Sequence, residues 1–120
     1  MEEAREARGV HNPKVVDLIR LDRDRGEVVL LMLEQRVWGA APEQLRQLEE
    51  KFNRYLSFVL DGFLVAQFPQ YKELPVCVRL DCAAAAGDEE RKLLAAMKSF
   101  AATHDIRFEV NVIQPAAAGG

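Results

Sequence analysis

The stretch from Pro42 to Phe68 constrains this chain more than any other. Leu45, Leu48, Phe52, Tyr55, Leu56, Val59 and Phe63 recur in it every three or four residues, the period of a helix with one buried face. Pro42 suits the first helical position, where its missing N–H is no loss, and Glu43 suits the positive end of the helix dipole. Unbroken from Glu43 to Gln67, such a helix would be about 37 Å long, against about 26 Å for an eight-residue strand. Asp61-Gly62 falls late in the pattern, so a bend there, or a short second helix through Phe68, is expected. A helix with this much apolar side chain needs a sheet to lie on.

The flanking segments supply one. Residues 14–22 alternate, with Val15, Asp17, Ile19 and Leu21 on one face and Val16, Leu18 and Arg20 on the other, which predicts a first strand. Arg23-Asp24-Arg25-Gly26 is the turn, Gly26 taking its left-handed position. Glu27 to Glu34 is the second strand, and its Val28 to Leu33 run, Met32 included, is apolar on both faces. Such a strand is central or has cover on both sides. In Val76 to Cys82, Val76, Val78, Leu80 and Cys82 turn inward and Cys77, Arg79 and Asp81 outward. Asp88 is a candidate cap for a second helix whose stripe is Leu93, Leu94, Met97, Phe100 and Ala101. In the final strand Ile106, Phe108, Val110 and Val112 point inward, opposite Arg107, Glu109 and Asn111.

The expected fold is therefore α+β, in the order β-β-α-β-α-β: a four-stranded mixed sheet with both helices packed on one face. Residues 14–113 are expected to form a single domain, preceded by a flexible segment, 1–13, and followed by a disordered tail, 114–120. The apolar fraction of 49% is ample for one core at 120 residues. Net charge is -3 with no basic block, which argues against nucleic acid and anionic membranes; Glu49 and Glu50 interrupt the one basic stripe, Arg46, Lys51 and Arg54. The charged start, Met1 to Gly9, lacks the apolar region of an export signal. Cys77 and Cys82 stand an odd number of residues apart, so they face opposite ways on a strand and are expected as reduced thiols in a cytoplasmic protein.

Chemistry is less legible. His11 and His104 have no metal-ligand neighbours at a known spacing, and no phosphate loop, nucleophile elbow or His-Glu-x-x-His motif occurs. No catalytic, cofactor-binding or metal residue is assigned, and whether the chain is an enzyme stays open. The outer sheet face would leave an apolar patch on the hairpin. A homodimer through that helix-free face is the preferred cover, the alternatives being residues 1–12 or the Trp38 loop folded back over it. The leading function is thus a non-enzymatic, homodimeric protein-interaction module with an unknown protein partner. Its candidate interface or ligand residues are Asp17, Met32, Trp38, Cys77, Arg79 and Arg107. Asp17 on an inward face needs a counter-charge, with Arg20 or Arg79 as the expected donor. The alternative is a small-molecule-binding or hydrolytic protein with a carboxylate cleft, Asp17 and Asp61, near Trp38.

The phrases Val16-Asp17-Leu18-Ile19, Gly26-Glu27-Val28-Val29-Leu30, Trp38, Leu48 to Phe58, Asp61-Gly62, Phe68-Pro69 and Val76 to Leu80 together resemble small bacterial proteins of the DUF6572 type. The resemblance spans residues 14–110, and Asn53-x-Tyr55-Leu56-x-Phe58-x-x-x-Gly62 is its most distinctive part. It implies no activity, cofactor or substrate.

Overall fold

The computed structural model describes residues 16–113; His11, Val15 and the two terminal segments lie outside them. The strands are β1 (Leu18–Asp22), β2 (Glu27–Glu34), β3 (Val76–Cys82) and β4 (Ile106–Val112). They lie side by side in sequence order, β1 antiparallel to β2, and β2, β3 and β4 parallel. Both parallel connections thus step in the same direction, and crossovers of one hand put their helices on the same side.

The expected first helix is two. α1 (Gln44–Leu60) ends where Gly62 takes φ +89, and α2 (Phe63–Gln67) restarts in a new phase. A short 3-10 turn, Pro69–Tyr71, follows before the chain returns to β3. The phase change overturns one expectation: Phe63 is 55% exposed, and Leu64 is the buried residue. Pro42 is not the first helical residue either. It lies in the entry turn, and the Gln44 N–H donates to the Ala41 carbonyl.

α3 (Asp88–Ala102), by contrast, starts one residue earlier than read from the sequence. Gly87 is its cap residue, and its N–H donates to Glu90 Oε1 at 2.9 Å. This is one half of a capping box, which shifts Asp88 into the first turn. There Asp88 accepts a hydrogen bond from Arg91.

One contiguous core joins the helices to the sheet. It contains Val28, Leu30 and Met32 of β2, Val78, Leu80 and Cys82 of β3, and Ile106 and Phe108 of β4. From the helices come Leu48, Phe52, Tyr55 and Leu56 of α1, Leu64 of α2, and Leu94, Met97 and Ala101 of α3. Phe52 meets Phe108 edge-on, 5.3 Å between ring centres, a favoured aromatic geometry. The other side of the sheet carries the alternate residues, among them Val29, Leu31, Cys77, Arg79 and Arg107.

Strand β1 begins at Leu18, four residues later than the alternation suggested. The cause is local. The Asp17 N–H donates to Tyr55 Oη at 2.8 Å, and Asp17 Oδ2 accepts the Leu33 N–H at 2.9 Å. A side-chain carboxylate thus replaces a neighbouring strand as acceptor for Leu33, and the ladder starts at the Leu18–Leu31 pair.

Candidate interaction surface and buried polar networks

Three polar assemblies tie the elements together. The first joins β1 to α1. Lys51 extends from the buried stripe of α1 to Asp17 Oδ1, 2.7 Å away, with both side chains fully enclosed. Tyr55, one turn along, donates its hydroxyl proton to the Leu31 carbonyl at 2.6 Å. Burial holds the Lys51 ammonium below its ordinary pKa despite the pull of Asp17, and it raises the Tyr55 phenol well above its own. Asp17 is therefore a structural carboxylate whose partner is Lys51, not Arg20 or Arg79. The sequence signal was there: Lys51 lies three residues after Leu48 and four before Tyr55, on the same helical face as both.

The second assembly closes the C-terminal end of β2. Glu34, 2% exposed, accepts two charge-assisted hydrogen bonds from Arg36, at 2.8 and 2.9 Å, and one from Gln44 Nε2 at 3.1 Å. Burial pushes this carboxyl up, but the Arg36 and Gln44 hydrogen bonds and the Arg36 charge outweigh it, so its pKa lies below 4.5. Gln44 also accepts the Gly39 N–H at 2.7 Å. That bond stiffens the loop carrying Trp38, whose indole N–H donates to the Ala84 carbonyl at 2.8 Å. Trp38 packs against the main core and ties the two crossovers together; it does not fold over the outer sheet face.

The third assembly lies on the helix-free face. Arg107 grips Glu27 through two hydrogen bonds, 2.7 and 3.0 Å, and reaches Glu109 at 2.7 Å. The first contact spans from β4 to β2 across β3, above Cys77. Arg25 lies 3.9 Å from Glu109. Farther along, Arg79 donates to Asp81 at 2.8 Å, and Asn111 to the same oxygen at 3.4 Å. The hydrogen bonds that Arg107 donates to Glu27, then to Glu109, raise its pKa. Cys77 is fully buried, and burial pushes its thiol up to about 12. Beside these pairs runs an apolar row. Leu18, 42% exposed, stands opposite Leu31, with Leu33 two residues on.

Of the six candidate residues, the fold gathers Cys77, Arg79 and Arg107 on the helix-free face. Met32 is fully enclosed in the core under the helices and has no surface to offer a partner. Asp17 belongs to the Lys51 pair, and Trp38 to the end of the sheet. Asp61 caps the C-terminus of α1 and is exposed, ten residues and about 15 Å along the helix axis from Lys51. Asp17, Asp61 and Trp38 therefore do not surround one cleft. A concavity of about 790 Å³ is an open groove beside α1 between Val16, Arg46, Arg54, Phe58 and Phe63. None of those three residues lines it.

Among the described residues no three His, Cys, Asp or Glu side chains cluster to hold a metal ion, and no helix is long and apolar enough to cross a membrane. Every described buried side-chain N or O atom has a hydrogen-bond partner. A family model described as "Family of unknown function (DUF6572)" matches residues 8–114. No curated protein and no solved structure matches the chain.

Proposed function

We infer that this chain, which belongs to the DUF6572 family of unknown function, is a non-enzymatic interaction module that forms a homodimer through the helix-free face of its sheet. The observation that carries this reading is the Leu18–Leu31 pair, an apolar row on the side of the sheet that no described helix covers. Contiguous apolar surface of this kind marks association sites.

The charges around the row favour a second copy as the partner. Arg25, Arg79 and Arg107 alternate with Glu27, Asp81 and Glu109 on one patch. A two-fold contact sets a patch against itself, and a patch holding both signs can pair with its own copy without like-charge opposition. The polar networks add to the non-enzymatic side of the reading. Asp17, Glu34 and Lys51, the buried charges nearest in kind to catalytic groups, are each engaged in holding one element to another. The buried thiols Cys77 and Cys82 fit a reducing compartment such as the cytoplasm.

Light scattering with analytical ultracentrifugation tests the proposal. The expected particle has about twice the 13.5 kDa chain mass. Leu18→Glu puts a charge in the apolar row and should return the protein to a monomer that keeps the wild-type circular dichroism spectrum. A wild-type chain that stays monomeric at high concentration sinks the reading.

A further inference from the structure

We propose that the open edge of β4 is a second self-docking site, at which two copies join their sheets by antiparallel β4–β4 pairing. It is distinct from the face contact above: it continues the backbone ladder in the plane of the sheet and needs no side chain of the Leu18 row.

Strand β4 ends the sheet and, among the described residues, pairs only with β3. The Ile113 N–H donates to the Cys82 carbonyl at 2.8 Å, and this fixes the phase of the strand. In a parallel ladder every second residue turns its backbone groups to the same neighbour. Arg107, Glu109 and Asn111 therefore bond toward β3, while Phe108, Val110 and Val112 present N–H and C=O to the open side. Natural edges are blunted by proline, bulges, cover or unpaired charge. Strand β4 is seven regular residues without proline, and its two charged residues already form a neutral pair. Val110 and Ile113 are 40% and 47% exposed beside this edge. A cleft of about 430 Å³ opens there between Leu94, Ala95 and Lys98 of α3 and the Phe108–Val110 segment.

Charge selects both the occupant and its register. Pairing two outward-facing sets antiparallel allows three alignments that keep most of the strand. Centred on Glu109, the alignment sets Glu109 against its own copy, a destabilising like-charge pair. Centred on Val110, it leaves Arg107 opposite Ile113 and Glu109 opposite Asn111. Centred on Phe108, it places each Arg107 opposite the other copy's Glu109, twice over. These fall at non-hydrogen-bonded positions, where cross-strand side chains come closest. On the helix side the same alignment sets Ile106 opposite Val110, so the exposed valine gains a branched apolar neighbour. The occupant is a second copy of this chain in that register.

The test is backbone amide exchange, read by NMR at several protein concentrations, alongside sedimentation. The Phe108 and Val110 amides should exchange quickly when dilute and slow down as concentration rises. Glu109→Arg sets arginine against arginine and should weaken self-association about tenfold. Val110→Pro removes an outward N–H that the monomer does not use and should abolish the slowing. Protection that persists in Leu18→Glu supports the edge contact. If the wild type associates but those two amides stay fast at every concentration, the edge contact is overturned and the face contact stands. A chain monomeric throughout overturns both.

Discussion

The two sides of this sheet are built from the same strands and held in different ways. On the helix side, alternate residues of β2, β3 and β4 meet three helices in an apolar core, and a fully enclosed ion pair, Asp17–Lys51, links its margin to α1. On the helix-free side, the intervening residues form a lattice in which the partly exposed Arg79, Arg107 and Glu109 surround the more deeply set Glu27 and Asp81, beside Leu18 and Leu31. The lesson is that a charge's worth depends on which side it occupies. A pair sealed from water is costly to break, because the surviving partner is stranded without solvent. A pair open to water loses little, because water and salt replace what is removed.

The largest effects should come from breaking the helix side. Phe52→Ala removes a fully buried ring packed on Phe108 and should cost about 3–5 kcal/mol in denaturant melts. Lys51→Met keeps most of the volume and discards only the charge, yet it strands Asp17 in the core. Its cost should also be about 3–5 kcal/mol. A Lys51→Met loss below about 1 kcal/mol would mean that the pair behaves like a surface bridge, and the contrast between the two sides would fail.

On the helix-free side, Arg107→Met takes both partners' counter-charge from Glu27 and Glu109. Arg107 is partly exposed and water can replace it at Glu109, but Glu27 is buried, so the loss should be about 1–3 kcal/mol, still below that at Lys51. The Arg107 effect should shrink in high salt, while that of Lys51 should not. Equal salt dependence at the two positions would erase the distinction.

The contrast was half legible in the sequence. Strict alternation in β3 and β4 separates Val78, Leu80, Phe108 and Val110 from Cys77, Arg79, Arg107 and Glu109, because a strand's period of two leaves no freedom. Gly62 likewise marked the helix break, since only glycine enters the left-handed region cheaply. The polar networks were less visible because their partners are distant in sequence. Asp17 meets Lys51 across 34 residues, and Arg107 meets Glu27 across 80; no local pattern chooses such partners. Lys51 itself was misread because a charged residue on an apolar stripe is ordinarily solvated. Met32 could not be assigned to a side while β2 read as apolar on both.

Acidity probes the buried network at the end of β2 with a smaller effect. The Glu34 carboxyl has a folded pKa below its reference value of 4.5. The stability this contributes is therefore complete above pH 4.5 and is lost as pH falls through the folded value. Thermal melts across that range should show the loss, and Glu34→Gln should flatten it. A profile identical in wild type and variant would remove Glu34 from the account.

The smallest effect is expected where the two sides meet in one residue. Cys77 lies on the helix-free face, but it is fully buried beneath the Arg107–Glu27 bridge, and its thiol is pushed up to about 12. Thiolate is the reactive form, so at pH 8 the native protein should react with a thiol reagent far more slowly than the unfolded chain. Cys82, buried in the core on the opposite face, should behave the same way. Arg107→Ala sharpens the comparison, because it opens the cover over Cys77 alone. Mass spectrometry of the labelled variant should find modification at Cys77 before Cys82, under conditions where the variant is still folded. Equal labelling of both cysteines would mean that the reagent enters by global opening, and that the charge lattice does not seal the sheet beneath it.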